Sequence, residues 1–413
     1  MTDKNPALKL FDPDVVRRKA HHFLDLALVG ELKHVAADAS DLRSVLLNVL
    51  ETTKENYPDI QIPPYGIWRD FEESGIDRWG ALANARAFET AEEMLSASAD
   101  LAVLACVMNT QRPENWVFND PMTATAATGK QASSLAAFHM FAAGSFSGEM
   151  SDPYRVDAET LIRLDLEELA SGLQWDLEKD AGLLEGMQRH LKRVGEALAL
   201  RPDLFCEGNV TRPGLLATRL ARECDGAVSA TRFLDNLLEA LAPVWDGGAQ
   251  SDDIMLGDSF RHYATPGEET DQIVPFHLSA QEMVYSMLEP YAWAGLEVVD
   301  LECLTGPSDE THAALFLDTG VMKIRDMDID VSAQDAQDRM IEIRAVSIAL
   351  IDKLADLLRD ELEVPADQLP LTCILEGGSS RAGNRVLQQN EAYRKKLGQF
   401  LNPGSVFWLP FGA

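Results

Sequence analysis

Apolar residues recur at helical spacing along most of this 413-residue chain. The first such segment begins at Asp12-Pro13, a cap residue followed by a proline, and ends at Gly30, which predicts an amphipathic helix. Its apolar residues share one face: Val16, Ala20, Phe23, Leu24, Ala27 and Leu28. A second helix is predicted from Ser40, ending before the turn-rich segment ENYPDIQIPPYG.

The same periodicity predicts further helices over 85–108, 130–147, 157–170, 183–200, 229–242, 277–293, 338–362 and 380–400. Strand candidates are few: 297–301, 315–321 and the final SVFWL. These numbers of elements favour a mainly α, multi-helical fold with a small β element.

Two stretches have the composition of linkers, namely WDGGAQSDD from Trp245 and ATPGEETD from Ala264. They are either lobe boundaries or surface loops. We predict a single compact helical domain over 1–413, with two lobes at about 1–245 and 272–413 separated by the loop-rich segment 245–271.

The chain is strongly acidic, with a formal net charge of -31 from 36 basic and 67 acidic residues. Such a charge repels a polyanion and forgoes the counterion release that drives nucleic-acid binding, so we expect no nucleic-acid partner. A solvated acidic surface is the simplest interpretation, and a basic partner is the alternative.

Five cysteines are scattered without any CxxC spacing: Cys106, Cys206, Cys224, Cys303 and Cys373. This pattern indicates buried thiols in a reducing compartment and neither a zinc site nor a disulfide framework. The N-terminal segment lacks the apolar core of a signal peptide, and no run of about 18 apolar residues occurs. We predict a cytoplasmic protein with no membrane segment, and leave its oligomeric state open.

The segment MIEIRAVSIALI, from Met340 to Ile351, is apolar around nearly its whole circumference, which is typical of a central buried helix. Only Glu342 and Arg344 interrupt it. Buried charges need partners because removing water from an ion costs several kcal/mol. The two residues therefore either form ion pairs with neighbouring helices or line a pocket for a polar ligand.

A second group of charges lies in DLECLTGPSDETHAALFLDTG, from Asp300 to Gly320. Carboxylates near turns are common in active sites and are also ordinary in a chain this acidic. Asp309 and His312 could be two metal ligands, but no third ligand has a matching spacing, so we predict no metal.

Aromatic and amide groups occur near two predicted helix starts. In PFHLSAQ, Phe276, His277 and Gln281 could hold a flat ligand, or the histidine could be a satisfied structural residue. In GIWRDF, Trp68 and Arg69 could stack on a base or anchor a loop.

The segment LEGGSSRAGNR, 375–385, opens a predicted helix whose N-terminus could accept an anion, although a simple capped turn also explains it. It is not a Walker motif. No GxSxG, no GxGxxG after a strand and no HExxH occurs in the sequence, so we predict no cofactor.

Several motifs are recognisable when they are taken in order: ENYPDIQIP, WRDF, DRW, PFHLSAQ, DLECLTG, LFLDTGV, EIRAVSIALID and LEGG. Together they resemble a uracil-catabolism family of fungi and bacteria, known as the fourth URC protein. The resemblance spans nearly the whole chain.

A more remote likeness is to the queuosine 5′-phosphate N-glycosylase family, whose matching segments run FYKRAQ, DIxxLT, ADYRVPQ and EIRxxSI. This resemblance implies a helical core related to DNA glycosylases and cleavage of an N-glycosidic bond in a free nucleotide. The aspartate of ADYR matches Asp309, which we expect to act at the glycosidic carbon. Glu342 would then hold a ribose hydroxyl or a second water, and Arg344 would pair with it or with the ligand.

The chemistry implied is reasonable, because departure of a base or of urea leaves an oxocarbenium-like sugar that a carboxylate stabilises. If opening of the uracil ring leaves urea attached to ribose, an enzyme must release that urea. Ribosylurea is therefore an expected substrate, within the wider class of small nucleoside-like or nucleotide-like ligands.

The chain departs from the uracil-catabolism pattern at several places. It keeps Trp68 and Arg69, but PYGIWRDF stands where that family has FHSRWRHF. Leu278 replaces a lysine, and Glu310-Thr311 stands where that family has Tyr-Arg after the acidic residue. The groups expected to bind phosphate are the ones that change.

Two interpretations follow from these departures. Either the chain acts on a different, less phosphorylated N-riboside, or it has lost catalysis and keeps a ligand-binding or scaffolding role. Retention of Asp309, Glu342, Arg344 and Glu376 favours the first. We predict Asp309 and Glu342 as the catalytic pair, and the other residues named above as substrate-binding groups: Trp68, Arg69, Phe276, His277, Gln281, Arg344 and Glu376.

Overall fold

The computed structural model describes residues 5–245, 247–267, 270–327 and 332–401. The helices of the first 245 residues are α1 (Pro13–Val29), α2 (Leu42–Asn56), α3 (Trp68–Phe71), α4 (Arg78–Arg86), α5 (Ala91–Met108), α6 (Gly129–Ala142), α7 (Ala158–Arg163), α8 (Leu166–Leu173), α9 (Ala181–Leu200), α10 (Pro202–Phe205), α11 (Gly214–Glu223) and α12 (Ala230–Leu241). The later helices are α13 (Leu278–Tyr285), α14 (Leu288–Trp293), α15 (Glu310–Asp318), α16 (Ala333–Leu362), α17 (Leu371–Ile374), α18 (Ser380–Gln389) and α19 (Glu391–Leu401).

The strands of the described part form two-stranded ladders. Five of these ladders are antiparallel: β1 (Val35–Ala37) with β12 (Met322–Ile324), β2 (Phe118–Asn119) with β3 (Ala126–Ala127), β4 (Cys206–Glu207) with β5 (Val210–Thr211), β7 (Gln250–Ser251) with β8 (Ile254–Met255), and β9 (Ser259–Arg261) with β10 (Ile273–Pro275). The sixth is parallel and joins β6 (Ala227–Ser229) to β11 (Glu297–Val299). The prediction of a mainly α fold with a small β element is confirmed, while the relation to DNA glycosylases stays a prediction.

The first helix forms where its end signals place it. The Asp12 side chain accepts a hydrogen bond from the Asp14 N–H at 2.9 Å and so caps α1, and Gly30 ends the helix with a left-handed φ of 79°. α1 packs along α16, so the N-terminal segment covers the central helix.

The strand predicted at 315–321 is wrong. Leu315 to Asp318 lie in α15, whose N-terminus is capped by Asp309, and only the following residues Met322–Ile324 form a strand. The run ALFL is buried on every side, and a short, uniformly apolar run does not distinguish a buried strand from a buried helix. The strand predicted at 297–301 is confirmed over Glu297–Val299. The candidate SVFWL lies outside the described residues.

Several long periodic segments are interrupted helices. The segment 85–108 covers the end of α4 and all of α5, because Ala87 adopts a left-handed φ of 52° and Thr90 then caps a new helix. The segments 157–170, 277–293 and 380–400 each contain a similar break between two helices. Periodicity continues across such breaks because both helices bury a face in the same core.

The core runs through both predicted lobes. Along α16, the described residues from Met340 to Ile351 are all buried, as a central helix requires. Helices of the two predicted lobes pack directly on each other, α1 on α16 and α5 on α13 and α14. The division into two lobes stays a prediction, and the segment between them contains β7, β8 and β9.

The cysteines are free thiols, and Cys106 is buried. The other four are partly exposed, so the prediction of buried thiols is right only for Cys106. None of the described helices is both long enough and apolar enough to cross a membrane.

Candidate functional site

Arg344 of the central helix forms a buried two-point ion pair. Its guanidinium donates to both carboxylate oxygens of Asp258, at 2.6 and 2.7 Å, and its Nε donates to the Ser308 hydroxyl at 3.1 Å. The Phe276 ring lies 4.0 Å from the guanidinium carbon. This geometry is that of the structural ion pair, since the bidentate face of the arginine is already occupied.

The Glu342 side chain extends from α16 in another direction and binds backbone N–H groups at the start of β1. One of its oxygens accepts the backbone N–H groups of His34 and Val35, both at 2.8 Å, and the other accepts the Tyr263 hydroxyl at 2.9 Å. Burial would raise the pKa of this carboxyl, but these donors and His262 outweigh it and hold the pKa below its usual value. Glu342 is thus an ionised, fully buried tether.

The side chains of His277 and Gln281 also form hydrogen bonds within the core. The His277 ring contacts the Leu10 carbonyl at 2.8 Å, which makes Nε2 the protonated nitrogen, and its backbone has a left-handed φ of 51°. The Gln281 side chain accepts the Thr305 N–H at 2.8 Å and donates to the Phe276 carbonyl at 3.0 Å. These bonds fix the segment that leads into α15.

Asp309 is the N-cap of α15 and holds one side of its carboxylate against His312. Its Oδ1 accepts the His312 backbone N–H at 2.9 Å and the ring Nδ1–H at 2.8 Å. On the far side of the ring, His312 Nε2 lies 3.1 Å from the Ser379 hydroxyl. Within the described residues, Oδ2 of Asp309 receives no hydrogen bond, and 13% of the side chain is exposed.

The charge state of Asp309 follows from these contacts. Burial alone would raise the pKa of Asp309, but the His312 ring, its N–H donors and the Lys130 ammonium together lower that pKa below its usual value. The carboxylate is therefore ionised near neutral pH, with one oxygen held and the other available.

Ser379 ends a π-helical turn, Leu375–Ser379, that continues directly into α18. Two glycines let this turn approach α2: a Cβ on Gly378 would meet the Val49 carbonyl at 2.5 Å, and one on Gly377 would meet Ile62 at 3.0 Å. Turns of this type frequently occur at functional sites. The LEGGS segment is thus a close-packed turn that presents Ser379 to His312.

A partly buried lysine lies at the centre of the remaining polar groups. Lys130 of α6 contacts the Glu282 carboxylate of α13 directly, and its ammonium donates to the Tyr65 hydroxyl at 3.2 Å. Its charge also acts on Asp70 and Asp309. We call Tyr65, Asp70, Lys130, Glu282 and Asp309 the polar cluster.

Asp70 differs from Asp309 in protonation. Its Oδ2 accepts the Ser134 hydroxyl at 2.7 Å, and Ser134 lies one turn after Lys130 on the same face of α6. Burial disfavours the carboxylate more than Lys130 and Ser134 stabilise it, which raises the pKa of Asp70 to about 6. The polar cluster therefore contains one carboxyl with a lowered pKa and one with a raised pKa.

Glu376 and Arg69 border the polar cluster. The Glu376 carboxylate accepts the Tyr57 hydroxyl at 2.7 Å and the Arg381 guanidinium at 2.6 Å. Arg69 donates to Glu72 at 2.6 Å and also contacts Glu289. The two cations, Arg69 and Arg381, are therefore each paired with a carboxylate.

Trp68 packs away from the polar cluster. Its indole N–H donates to the Ser286 carbonyl at 2.6 Å, and its ring contacts Phe71, Trp79 and Trp293. With these rings it lines a surface cleft of about 400 Å³. A second cavity, of about 10 Å³, lies between Tyr65, Phe276, Glu282 and Ser308 and has room for roughly one water molecule.

The site residues predicted from the sequence therefore lie in different parts of the structure. Asp309 lies in the polar cluster, Arg69 and Glu376 lie at its border, and Phe276 and Arg344 form the wall beyond Ser308. Glu342 and His277 face other parts of the core. The assignment of roles to these residues stays a prediction.

Sequence reasoning missed Asp70, Lys130 and Glu282. Asp70 stands inside the quoted segment WRDF, directly after Arg69, and could have been found there. Glu282 directly follows the quoted segment PFHLSAQ, whereas Lys130 carries no motif. Only the packing of α6 against its neighbours shows that the two residues meet. Among the described residues, no group of three or more His, Cys, Asp or Glu side chains is arranged to hold a metal ion.

Comparison with known proteins places the chain in a family. A family model described as "Protein of unknown function (DUF1688)" matches residues 9–397. The chain belongs to the DUF1688 family. Among similar proteins, "Protein urg3" of Schizosaccharomyces pombe is 25% identical over 389 residues, which cover 92% of this chain and 94% of that protein.

A second relative of this DUF1688 chain is "Uracil catabolism protein 4" of Lachancea kluyveri, 25% identical over 365 residues. The match covers 79% of the chain and 80% of the relative. The predicted resemblance to the uracil-catabolism family is confirmed, and the likeness to the queuosine 5′-phosphate N-glycosylase family stays a prediction.

Proposed function

We propose that this DUF1688 chain is a metal-independent hydrolase of uracil catabolism that cleaves the N-glycosidic bond of a small N-riboside such as ribosylurea. The observation that supports this most is the Asp309 carboxylate, which is ionised, held through Oδ1 and available through Oδ2. The printed name of the Lachancea kluyveri relative supports the pathway.

The proposed role of Asp309 follows from charge. As the bond between the sugar C1′ and the leaving nitrogen breaks, positive charge develops on C1′ and the ring oxygen. A carboxylate that is already desolvated and fixed stabilises this charge without reorganising, and it can take a proton from the attacking water. His312 and Ser379 position the carboxylate through Oδ1, so that Oδ2 faces the reaction.

The pairing of cations favours an uncharged riboside over a phosphorylated one. Lys130 is paired with Glu282, Arg69 with Glu72 and Glu289, and Arg344 with Asp258. A phosphate dianion would have to displace one of these carboxylates or lie unpaired beside them, and an unpaired buried charge costs several kcal/mol.

The test is a substrate panel. The protein is incubated with ribosylurea, uridine and the 5′-phosphates of both, and the release of ribose or ribose 5-phosphate is followed by mass spectrometry. We expect release of ribose from ribosylurea and slower turnover of its 5′-phosphate. Faster turnover of the 5′-phosphate would refute the charge argument, and no release from any member would refute the hydrolase.

A non-catalytic ligand-binding or scaffolding role is the second candidate. The cavity of about 10 Å³ beside Ser308 favours the scaffolding form of this role, because a riboside needs far more room. In that case ribosylurea would be neither consumed nor bound, and adding it would leave the melting temperature of the protein unchanged.

A further inference from the structure

The Asp309 carboxylate can stabilise the charge on the sugar, but it does not supply a proton to the leaving nitrogen. Urea and nucleobases depart poorly as nitrogen anions, so hydrolysis near neutral pH requires a proton donor beside the leaving nitrogen. Asp309 cannot be that donor, because it is ionised. A second acidic group in the same cluster is needed.

We propose that Asp70 is the general acid that protonates the leaving nitrogen. The role rests on the proposed function, and Asp70 is assigned it from its place in the polar cluster. Among the described residues, its Oδ2 is held by the Ser134 hydroxyl at 2.7 Å, and its Oδ1 receives no hydrogen bond. Asp70 therefore mirrors Asp309, with one oxygen fixed and one available.

The position of Asp70 is rigid. It lies in the short helix α3, between Trp68 and Phe71, which are both buried. The Trp68 indole N–H donates to the Ser286 carbonyl, and the Ile67 N–H donates to the Ser286 hydroxyl at 3.1 Å. A fixed acid loses little entropy when it meets the leaving group.

The surroundings of Asp70 and Asp309 shift the pKa values of the two carboxyl groups in opposite directions. Burial and the neighbouring carboxylates of Glu282 and Glu376 raise the pKa of Asp70, while the His312 donors lower that of Asp309. The two carboxyls both sense the Lys130 charge, yet the pKa of one is raised and that of the other is lowered. Such a separation is how active sites assign acid and base roles to two like groups.

The proposed step balances as follows. The C1′–N bond breaks, its electron pair goes to nitrogen, and nitrogen takes the proton from Asp70. Water then forms a bond to C1′ and gives its proton to Asp309. Exchange with solvent returns that proton to Asp70, so the net reaction adds one water across the bond.

A pair of substrates separates an acid from a structural residue. Asp70→Asn and Asp309→Asn are assayed on ribosylurea and on 4-nitrophenyl β-D-ribofuranoside, whose leaving group departs without a proton. We expect Asp70→Asn to lose about 100-fold or more on ribosylurea and to keep activity on the nitrophenyl riboside. Asp309→Asn should lose both. Equal losses by Asp70→Asn on the two substrates would overturn the proposal.

Ser134→Ala is the milder variant, in case Asp70→Asn folds poorly. Removing the hydroxyl that stabilises the carboxylate raises the pKa of Asp70 further, so the falling limb of the activity profile should move to higher pH. An unmoved limb would overturn the assignment. If the unaltered protein cleaves neither substrate, the proposed function itself is refuted.

Asp70 can also be tested without turnover. A carboxyl with a raised pKa keeps its proton in the native state between about pH 4 and its folded pKa of about 6, while the unfolded state loses it. The wild type therefore loses stability across this range, and the melting temperature of Asp70→Asn should rise relative to it. A difference that is constant from pH 4 to pH 7 would show an ordinary carboxyl and overturn the proposal.

Discussion

Glu342 and Arg344 lie two positions apart on α16 and serve opposite sides of it. Residues at that spacing do not share a helix face, so Arg344 reaches Asp258 and Glu342 reaches the backbone of His34 and Val35. The sequence predicts that two charges in an apolar helix need partners. It does not identify those partners, because Asp258 and His34 are distant along the chain.

Replacing Glu342 tests whether it is a tether. In Glu342→Gln, the amide cannot accept all the N–H groups that the carboxylate accepts, and its own N–H₂ faces donors. We expect the free energy of unfolding to fall by about 2 kcal/mol. Urea denaturation measures the change, with Glu185→Gln on the exposed face of α9 as a control expected within about 0.5 kcal/mol of wild type.

The same variant bears on the catalytic role predicted for Glu342. A tether that is only structural leaves turnover per folded molecule unchanged, whereas a catalytic carboxylate does not. A stable Glu342→Gln protein with strongly reduced turnover would contradict the structural interpretation.

At the scale of elements, α15 and the π-helical turn of Leu375–Ser379 are joined by the contact of His312 with Ser379. The sequence predicts a helix start near 380 and a simple capped turn, but not a π turn. That geometry depends on the approach of α2 to Gly378, a tertiary contact that no local pattern encodes. The apolar run of α15 is predicted as a strand for another reason, because a short, uniformly apolar run fits either element.

Gly378→Ala tests this approach. Its new Cβ would lie 2.5 Å from both the Val49 carbonyl and the Thr53 hydroxyl, so α2 and the turn must separate. We expect a loss of about 2 kcal/mol in the free energy of unfolding, with a change in the His312 ring resonances in NMR spectra.

Gly182→Ala in α9 is the matched control, since nothing lies within 4 Å of its Cβ position. It should leave stability unchanged or slightly increased, because alanine favours helix. Equal effects of the two substitutions would show that the turn does not need glycine at position 378 in order to pack on α2.

At the scale of the whole molecule, the net charge of -31 opposes compaction. The core of α16 and its neighbours must outweigh that repulsion. Added salt screens it, so the melting temperature should rise between about 20 mM and about 500 mM sodium chloride. A melting temperature that falls over this range would indicate that surface ion pairs contribute more to stability than the excess charge costs.

The hydrophobic periodicity predicted the helical class, and the composition predicted the absence of a nucleic-acid-binding charge pattern, because both depend on many residues together. The polar cluster was not predictable in this way. Tyr65, Lys130, Glu282 and Asp309 come from four separate parts of the chain, and each alone is an unremarkable residue. Of these residues, the sequence identifies only Asp309, through the resemblance of its surrounding motif.

The central claim is that Asp309 drives cleavage of an N-glycosidic bond. Asparagine caps helices as well as aspartate does, so Asp309→Asn should stay folded while losing the negative charge, with a modest fall in melting temperature because His312 and Lys130 no longer face a carboxylate. The most direct measurement is the initial rate at which the wild type and this variant release ribose and urea from ribosylurea, followed by mass spectrometry. We predict release by the wild type and a rate about 100-fold or more lower for a folded Asp309→Asn protein. Equal rates for the two proteins would contradict the account.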